Sequence, residues 1–511
     1  MRVCELKLSH FRNYRELRLQ FGEGINIFYG RNAQGKTNIL EAISLLATTR
    51  SLRASRESEL ILQDEEMAHV TAEIDREREG DAELTVSVFQ GDKKTVRVNG
   101  MKRERVVDLL GQFNAVFFGS IDLVIVTGEP ADRRHYLNIE ISQISPRYVY
   151  DLGHYKRVLA QRNRLLRELR DRPRPPQEMG LDVWNEQLIK YGSTLFDKRR
   201  FYLDRLSLLA EEIHAELTDG RERLEVKYLP SITLPVKPTE TKSVETVELS
   251  TNLSTVSTMA NNDTFSVAEV NPNTVQESRE DAYLHSVAQE ASQGEKEPAP
   301  QTQNSPAMPV NTLESIESAF RRQLHGVGTE EARRGTTLLG PQRDDIAFFI
   351  NGTDARLYGS QGQQRTVALA LKLAEFRLIE EHVGEPPVML LDDVMSDLDD
   401  HRRKHLLSWV RRRCQTFITC TNLRSFPKDL LAEASIFQVT AGTVTSDVRK
   451  RPLPTRNSES LPEQSVGQPV EPSGESSVGE LAGEAPAIAE RHDLAPVSLP
   501  AVSGKATDKP G

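Results

Sequence analysis

Gly30-Arg31-Asn32-Ala33-Gln34-Gly35-Lys36-Thr37 lies between two apolar series: Ile25, Ile27, Phe28 and Tyr29 before it, and Ile39, Leu40, Ile43 and Leu46 at helical spacing after it. Strand, glycine loop and helix follow one another, which is the setting that a phosphate-binding P-loop requires. Glycines at both ends of the loop let backbone N–H groups turn inward around phosphates, and the following helix N-terminus adds its partial positive charge. Lys36 can reach the outer phosphates as a point charge, and Thr37 offers a hydroxyl to Mg²⁺. The predicted nucleotide cradle is Gly30, Arg31, Asn32, Ala33, Gln34, Gly35, Lys36, Thr37 and Asn38, with ATP and Mg²⁺ as the expected cofactors. The pattern also arises by chance in glycine-rich turns, so a second, distant motif has to decide.

That motif lies more than 300 residues on. Ser360-Gln361-Gly362-Gln363-Gln364-Arg365 precedes an apolar helical stretch from Thr366 to Glu381. Ser360 is placed to cap the helix, and Gly362 permits close backbone approach. Read alone, this is an ordinary helix start; read with a P-loop, Ser360, Gly362 and Gln363 become candidates for a γ-phosphate presented by another subunit. Val388-Met389-Leu390-Leu391 then reads as a buried strand ending in Asp392-Asp393, followed by Ser396-Asp397-Leu398-Asp399. A carboxylate at such a strand end can hold Mg²⁺, which makes Thr37 and Asp392 the metal-side pair. Asp393, one residue on, is the candidate for orienting or deprotonating the attacking water, with Lys36 as its catalytic partner.

Composition bounds the rest. The 511 residues allow two or three domains, but a mean hydropathy of -0.48 is too polar for one continuous globule. Cys4, Cys414 and Cys420 have neither paired nor metal-ligand spacing, as suits a reducing compartment. No apolar run approaches the roughly 18 residues needed to span a bilayer. Met1 to Leu6 reads as a strand rather than a signal peptide, so a cytoplasmic protein without a membrane partner is expected. The net charge of -10 is unevenly spread: 236–314 carries -8 and 452–511 carries -5, leaving +3 for the remainder.

Mixed strands and helices are predicted over 1–130, with Asn99-Gly100 as a turn between strands. From 131 to 234 the pattern is helical. Tyr148, Leu152, Tyr155, Leu159 and Leu166 form one stripe; Trp184, Leu188, Tyr191 and Leu195, then Tyr202, Leu206, Leu209 and Ile213 form another, and Arg172-Pro173-Arg174-Pro175-Pro176 breaks between them. Two long helices about a proline turn predict an antiparallel, coiled-coil-like arm. Arg157, Arg162, Arg164, Arg167 and Arg170 on the first helix are either a phosphate-tracking face or a solvated one. The Thr-, Ser-, Asn-, Glu- and Pro-rich segment 235–315 and the tail 452–511 are expected to be disordered. Order is expected from 316 to 451, where Ile346, Phe348 and Ile350 alternate before an Asn351-Gly352 turn.

Taken together, these motifs resemble an ATP-binding-cassette ATPase of the DNA-repair branch, and the chain is similar to the bacterial RecF family. Phe11-Arg12-Asn13-Tyr14, the run Gly128-Glu129-Pro130-Ala131-Asp132-Arg133-Arg134-His135-Tyr136-Leu137-Asn138, Gly340 to Asp345, and Leu398-Asp399 with Arg402 and Leu406 fit that pattern. The chain departs from it at Ser120-Ile121, where Pro-Glu is common, at Glu129 in place of a small residue, at Gln342 for His, and at Asp397 for Glu. The resemblance implies an α/β fold: a P-loop ATPase head assembled from N- and C-terminal parts, with a helical arm. It implies an ATP-dependent homodimer in which Ser360 and Gly362 of one copy close on nucleotide held by the other. It further implies binding to single- and double-stranded DNA at gaps or junctions, and RecA loading with RecR and RecO in repair, replication and SOS induction. The resemblance also implies a DNA-dependent ATPase, and its hydrolysis is expected to be slow, because Asp393 is shorter than the Glu of transporter cassettes. Thr419, Cys420, Thr421 and Asn422 stand where a transporter would carry a His, and the arm is too short for a chromosome-organising long coil.

Overall fold

The central sheet draws its strands from both halves of the chain, and this brings the distant motifs together. The computed structural model describes residues 1–91, 93–172, 180–234, 312–411 and 413–446, all within one compact unit, Met1–Arg451. Pro173 to Pro176, all of the expected insertion except its last residues, and the tail 452–511 lie outside the described residues. Helix begins at Leu313, inside the stretch expected to be disordered.

In chain order the strands are β1 (Arg2–Phe11), β2 (Tyr14–Gln20), β3 (Ile25–Tyr29), β4 (Met67–Asp75), β5 (Ala82–Phe89), β6 (Lys93–Val98), β7 (Met101–Lys102), β8 (Ala115–Gly119) and β9 (Leu224–Leu229). They continue as β10 (Asp345–Ile350), β11 (Thr353–Asp354), β12 (Val388–Asp392), β13 (Thr416–Cys420), β14 (Ser435–Thr440) and β15 (Thr443–Ser446). The helices are α1 (Lys36–Thr48), α2 (Leu123–Thr127), α3 (Pro130–Ile144), α4 (Pro146–Asp171), α5 (Leu181–Leu217) and α6 (Leu313–Arg334). They end with α7 (Ala355–Tyr358), α8 (Gln361–Val383), α9 (Val394–Asp397), α10 (Asp400–Val410) and α11 (Lys428–Glu433).

The central sheet runs β15-β14-β3-β13-β12-β8, parallel except for β15 at its edge. Alternation along its strands sends Ile27, Leu391 and Ile418 into one core and Phe28, Leu390 and Phe417 into another. The second core is closed by α1 and by an antiparallel sheet, β2-β1-β4-β5-β6-β7. The β6–β7 turn has Asn99 and Gly100 both at positive φ, 52° and 74°, the backbone that matches strand twist. Asn351 and Gly352 repeat this between β10 and β11.

Helix α4 starts at Pro146 behind Ser145, whose hydroxyl accepts from the Tyr148 N–H. It packs antiparallel to α5: Tyr148 meets Arg199 near one end of the pair and Arg162 meets Asn185 near the other. The pair does not stand clear of the head. Helix α5 lies along α8, and residues of both helices share one apolar core with the central sheet. Beyond α5 the chain forms β9, which pairs with β10 in a three-stranded sheet.

The loop Gly340–Asp345 fastens these parts. Arg199, fully buried, donates to the Pro341 carbonyl at 2.6 Å, to Asn138 Oδ1 at 3.0 Å and to the Tyr148 hydroxyl at 3.0 Å, and pairs with Asp344. Arg133 grips Asp345 with two bonds of 2.7 and 3.0 Å. Gln342 accepts from the Tyr155 hydroxyl. A buried guanidinium needs this many acceptors, because an unpaired charge there would be expelled.

Candidate nucleotide site

Strands β3, β13 and β12 are neighbours, with Cys420 beside Tyr29 and Asp392 beside Thr419. The P-loop and the Asp392-Asp393 pair therefore leave the carboxyl ends of adjacent parallel strands, where ligands of open α/β sheets gather. The loop geometry explains its glycines. Gly35 caps α1 at φ 110°, and a Cβ there would sit 2.6 Å from Asn13 Nδ2 and 2.7 Å from the Tyr14 hydroxyl. At Gly30 a Cβ would lie 2.3 Å from the Val439 carbonyl oxygen. Ala33, between them, also has positive φ, at 62°.

The outside of the loop is braced. Asn13 Nδ2 donates to the Gln34 carbonyl at 3.1 Å and the Tyr14 hydroxyl to that of Gly35 at 3.0 Å. Asn38 Nδ2 donates to Asn13 Oδ1 at 2.8 Å. From the other side, Ala441 N–H reaches Gln34 Oε1 at 2.7 Å and Gly442 N–H the Gln34 carbonyl at 3.2 Å. The loop is held by its rim, while Arg31, Asn32 and Ala33 remain exposed. Lys36 curls back over it, its Nζ 2.8 Å from both the Gly30 and Arg31 carbonyls. Burial lowers the Lys36 pKa, and the negative charges of Asp393 and Asp392 pull the other way.

Asp392 Oδ1 accepts two hydroxyls, Thr37 at 2.8 Å and Thr419 at 2.7 Å. Thr419 also accepts the Asp393 N–H at 2.9 Å, which holds Asp393 in a left-handed conformation at φ 52°. The Asp393 carboxylate takes the Ser396 hydroxyl at 3.0 Å. No group of three His, Cys, Asp or Glu capable of holding a metal is gathered among the described residues. The hydroxyl of Thr37 and the carboxylate of Asp392 fit Mg²⁺, which takes one or two protein oxygens and completes its shell with phosphate and water.

The signature residues form a separate exposed helix start. Ser360 Oγ accepts the Gln363 N–H at 3.2 Å, and Gln363 Oε1 accepts the Ser360 N–H at 2.9 Å, a complete capping box. Nothing lies within 4 Å of a Cβ built on Gly362. The side-chain hydrogen bonds of Ser360 and Gln363 go to one another and to Glu222, not to the P-loop or to Asp392. Behind this helix start, Arg365 donates to the Asp397 carbonyl at 3.2 Å, and Asp397 Oδ2 accepts the Ser120 hydroxyl at 3.0 Å.

The fold thus gathers Gly30 to Asn38 with Asp392 and Asp393, and leaves Ser360 and Gly362 exposed, with Gln363 half-buried against Glu222. No local pattern in the sequence marks Thr419 as a partner of Asp392, and Asn13 and Tyr14, which fit the family pattern, also brace the loop. Of the arm arginines, Arg162 leaves the surface series: it is fully buried, bonded to Glu331 at 2.6 Å, Thr337 at 2.8 Å and Asn185 at 2.8 Å. Arg164 and Arg170 pair with their own helix neighbours Glu168 and Asp171.

Residues 2–444 match the family model for the RecF/RecN/SMC N-terminal domain. The DNA replication and repair protein RecF of Oceanobacillus iheyensis is 36% identical over 444 residues, covering 87% of this chain and 100% of that protein. The chain belongs to the RecF family. RecF of Geobacillus kaustophilus is likewise 36% identical, over 446 residues, with 87% and 100% covered. A solved structure of the recombination mediator protein RecF with ATP, of the RecFOR pathway, superposes with a TM-score of 0.66 at 31% identity, covering 87% of this chain and 97% of that one. The RecF likeness therefore extends over both halves of the head and over the arm helices between them.

Proposed function

We propose that this protein is an ATP-operated switch of recombinational DNA repair, in which ATP joins two copies and slow hydrolysis releases them. The observation that carries this reading is the meeting of Lys36, Thr37, Asp392 and Thr419 at the ends of β3, β12 and β13. On this reading Gly30 to Asn38 wrap the triphosphate with backbone N–H groups, and Lys36 turns from its carbonyls to the outer phosphates. Bound at Thr37 and Asp392, Mg²⁺ would neutralise phosphate charge. Asp393 orients the attacking water; its engagement with Ser396 and its short side chain favour slow turnover.

The exposed Ser360 and Gly362, with Gln363 beside them, supply helix N-terminal donors to nucleotide on a second copy, so the γ-phosphate acts as glue for a homodimer. DNA binding is supported by the +3 balance of the chain outside its acidic insertion and tail. It is supported too by Arg97 and Lys102, exposed and directly opposite each other on β6 and β7. Such contacts read backbone rather than bases, and their strength falls with salt. The relatives are named for DNA replication and repair, and the RecF–ATP structure for the RecFOR pathway. RecR and RecO are accordingly the proposed partners, RecA loading at gapped or junction DNA the proposed outcome, with SOS induction as its consequence. A cytoplasmic site of action belongs to the same reading, since the relatives are named for DNA replication and repair.

The test is binding to a gapped duplex at fixed moderate salt, Mg-ATP against Mg-ADP, with self-association followed in parallel by sedimentation. Tighter DNA binding and dimer formation in ATP alone are expected. Equal behaviour in the two nucleotides would remove the switch.

A further inference from the structure

The arm ends on the signature loop. Helix α5 runs antiparallel along α8, with Arg205 to Glu381 at 2.5 Å and Arg377 to Glu212 at 3.0 Å. After α5 the chain turns through Asp219 and Gly220, both at positive φ, and brings Glu222 to the start of α8. There Glu222 Oε1 accepts from Gln363 Nε2 at 2.9 Å. Its other oxygen is 3.7 Å from the ring of His214, which is fully buried on α5. Helix α10 is tied to the same region, His401 lying 3.5 Å from Asp219 and His405 3.8 Å from Glu216.

The amide of Gln363 has two ends that are not interchangeable. Its oxygen must face Ser360 N–H for the capping box to close, and its nitrogen then faces Glu222. An ionised carboxylate only accepts, so Glu222 admits this orientation and rejects the flipped one. Flipping would set the Gln363 NH₂ against the Ser360 N–H, donor against donor, and open the cap.

We propose that Glu222 is a positioning residue for the signature loop: it fixes the Gln363 amide, and through it Ser360, so that the end of the arm sets whether the loop is ready to receive nucleotide. This rests on the reading above, in which Ser360 meets ATP held by a second copy. Movement of α5 carries Glu222 with it, which links the arm to the nucleotide site without any contact to the P-loop.

The experiment measures ATP-dependent self-association of the full chain by sedimentation, alongside ATP affinity of the single copy and thermal melting. Glu222→Gln can still present a carbonyl oxygen and should associate within about twofold of the parent. Glu222→Ala should weaken association about tenfold, the worth of a charge-assisted hydrogen bond. Glu222→Lys, a pure donor that forces the flip, should weaken it further. ATP affinity should change little in all three. In a Gln363→Ala background, Glu222→Ala should have no further effect, because Glu222 acts through that amide. Parent-like association of Glu222→Ala and Glu222→Lys, while Ser360→Ala is defective, would overturn the positioning role and leave the dimer reading intact. If Ser360→Ala also associates like the parent, the reading in which Ser360 meets nucleotide on a second copy falls, and the positioning role with it. Equal loss in Glu222→Gln and Glu222→Ala would likewise count against acceptor chemistry.

Discussion

Thr37 Oγ1 donates to Asp392 Oδ1 at 2.8 Å across 355 positions of the chain. This one bond joins the P-loop helix to the strand end of the other half. A hydroxyl bonded in this way has its lone pairs free for a hard cation, and the carboxylate beside it supplies charge. In Asp392→Asn the amide oxygen can still accept from Thr37 and Thr419, so the fold should persist while the charge is gone. The gain in ATP affinity on adding Mg²⁺ should shrink at least about tenfold. Titrating ATP with and without Mg²⁺ checks this; an undiminished gain would mean that Asp392 is not on the metal side.

Gly35 and Gly362 are both loop glycines, yet their substitutions should behave oppositely. Alanine at Gly35 meets Asn13 and Tyr14 at under 2.8 Å and inherits φ 110°, so the loop must shift away from its braces. A cost of about 1–3 kcal/mol in unfolding free energy is expected, with loss of ATP binding by the single copy. Alanine at Gly362 meets nothing within 4 Å. Melting and single-copy ATP binding should therefore stay at parent values in Gly362→Ala, and only ATP-dependent association should fall. Denaturant unfolding and nucleotide titration of both variants separate the two cases; equal damage would contradict the outward-facing role of Gly362.

Arg162 and Arg164 stand two positions apart on α4 and differ in what they hold. Arg162 is buried against Glu331, itself fully buried, so Arg162→Ala strands a carboxylate and should cost about 3–5 kcal/mol. Arg164 is exposed beside Glu168, and Arg164→Ala should stay within about 0.5 kcal/mol. Urea unfolding decides it, and comparable losses would show that the Glu331 pair is not what anchors α4 to α6.

Arg162 also marks the limit of what the sequence discloses. A run of arginines at helical spacing looks the same whether a residue faces water or a partner 169 positions away. What could be read was whatever local pattern dictates: β3 and α1 around the P-loop, the Asn-Gly turns, the helix cap at Ser360, and the apolar strand ending in Asp392. The contacts that complete the site were not legible, because they are made across the sheet. Thr419 serves Asp392 only because β13 lies beside β12, and Asn13 and Tyr14 brace Gly35 only because β1 and β2 fold over α1. Ser120 and Asp397, two departures from the family pattern, proved to be bonded to each other. The likeness that identified the head gave no hint of that contact.

His154 gives the arm a pH dependence whose sign can be worked out. It stacks on Tyr191 and lies against Tyr150, half-buried, with an Arg157 guanidinium nitrogen 3.1 Å from Nε2. Burial, and then the positive charges of Arg157, Arg147 and Lys190, lower its pKa from 6.5 to about 4. In the unfolded chain the ring titrates near its ordinary value, so between pH 6.5 and 4 the unfolded state binds the proton better. The stability that His154 contributes is therefore complete above about pH 6.5 and is lost as the pH falls toward 4. Solvent screening at a half-buried site limits the loss to about 1 kcal/mol. His154→Phe keeps the ring stacking and removes the titration. Melting temperatures measured from pH 7.5 down to 5 should decline more steeply in the parent than in this variant. Parallel declines would place the proton uptake elsewhere in the arm.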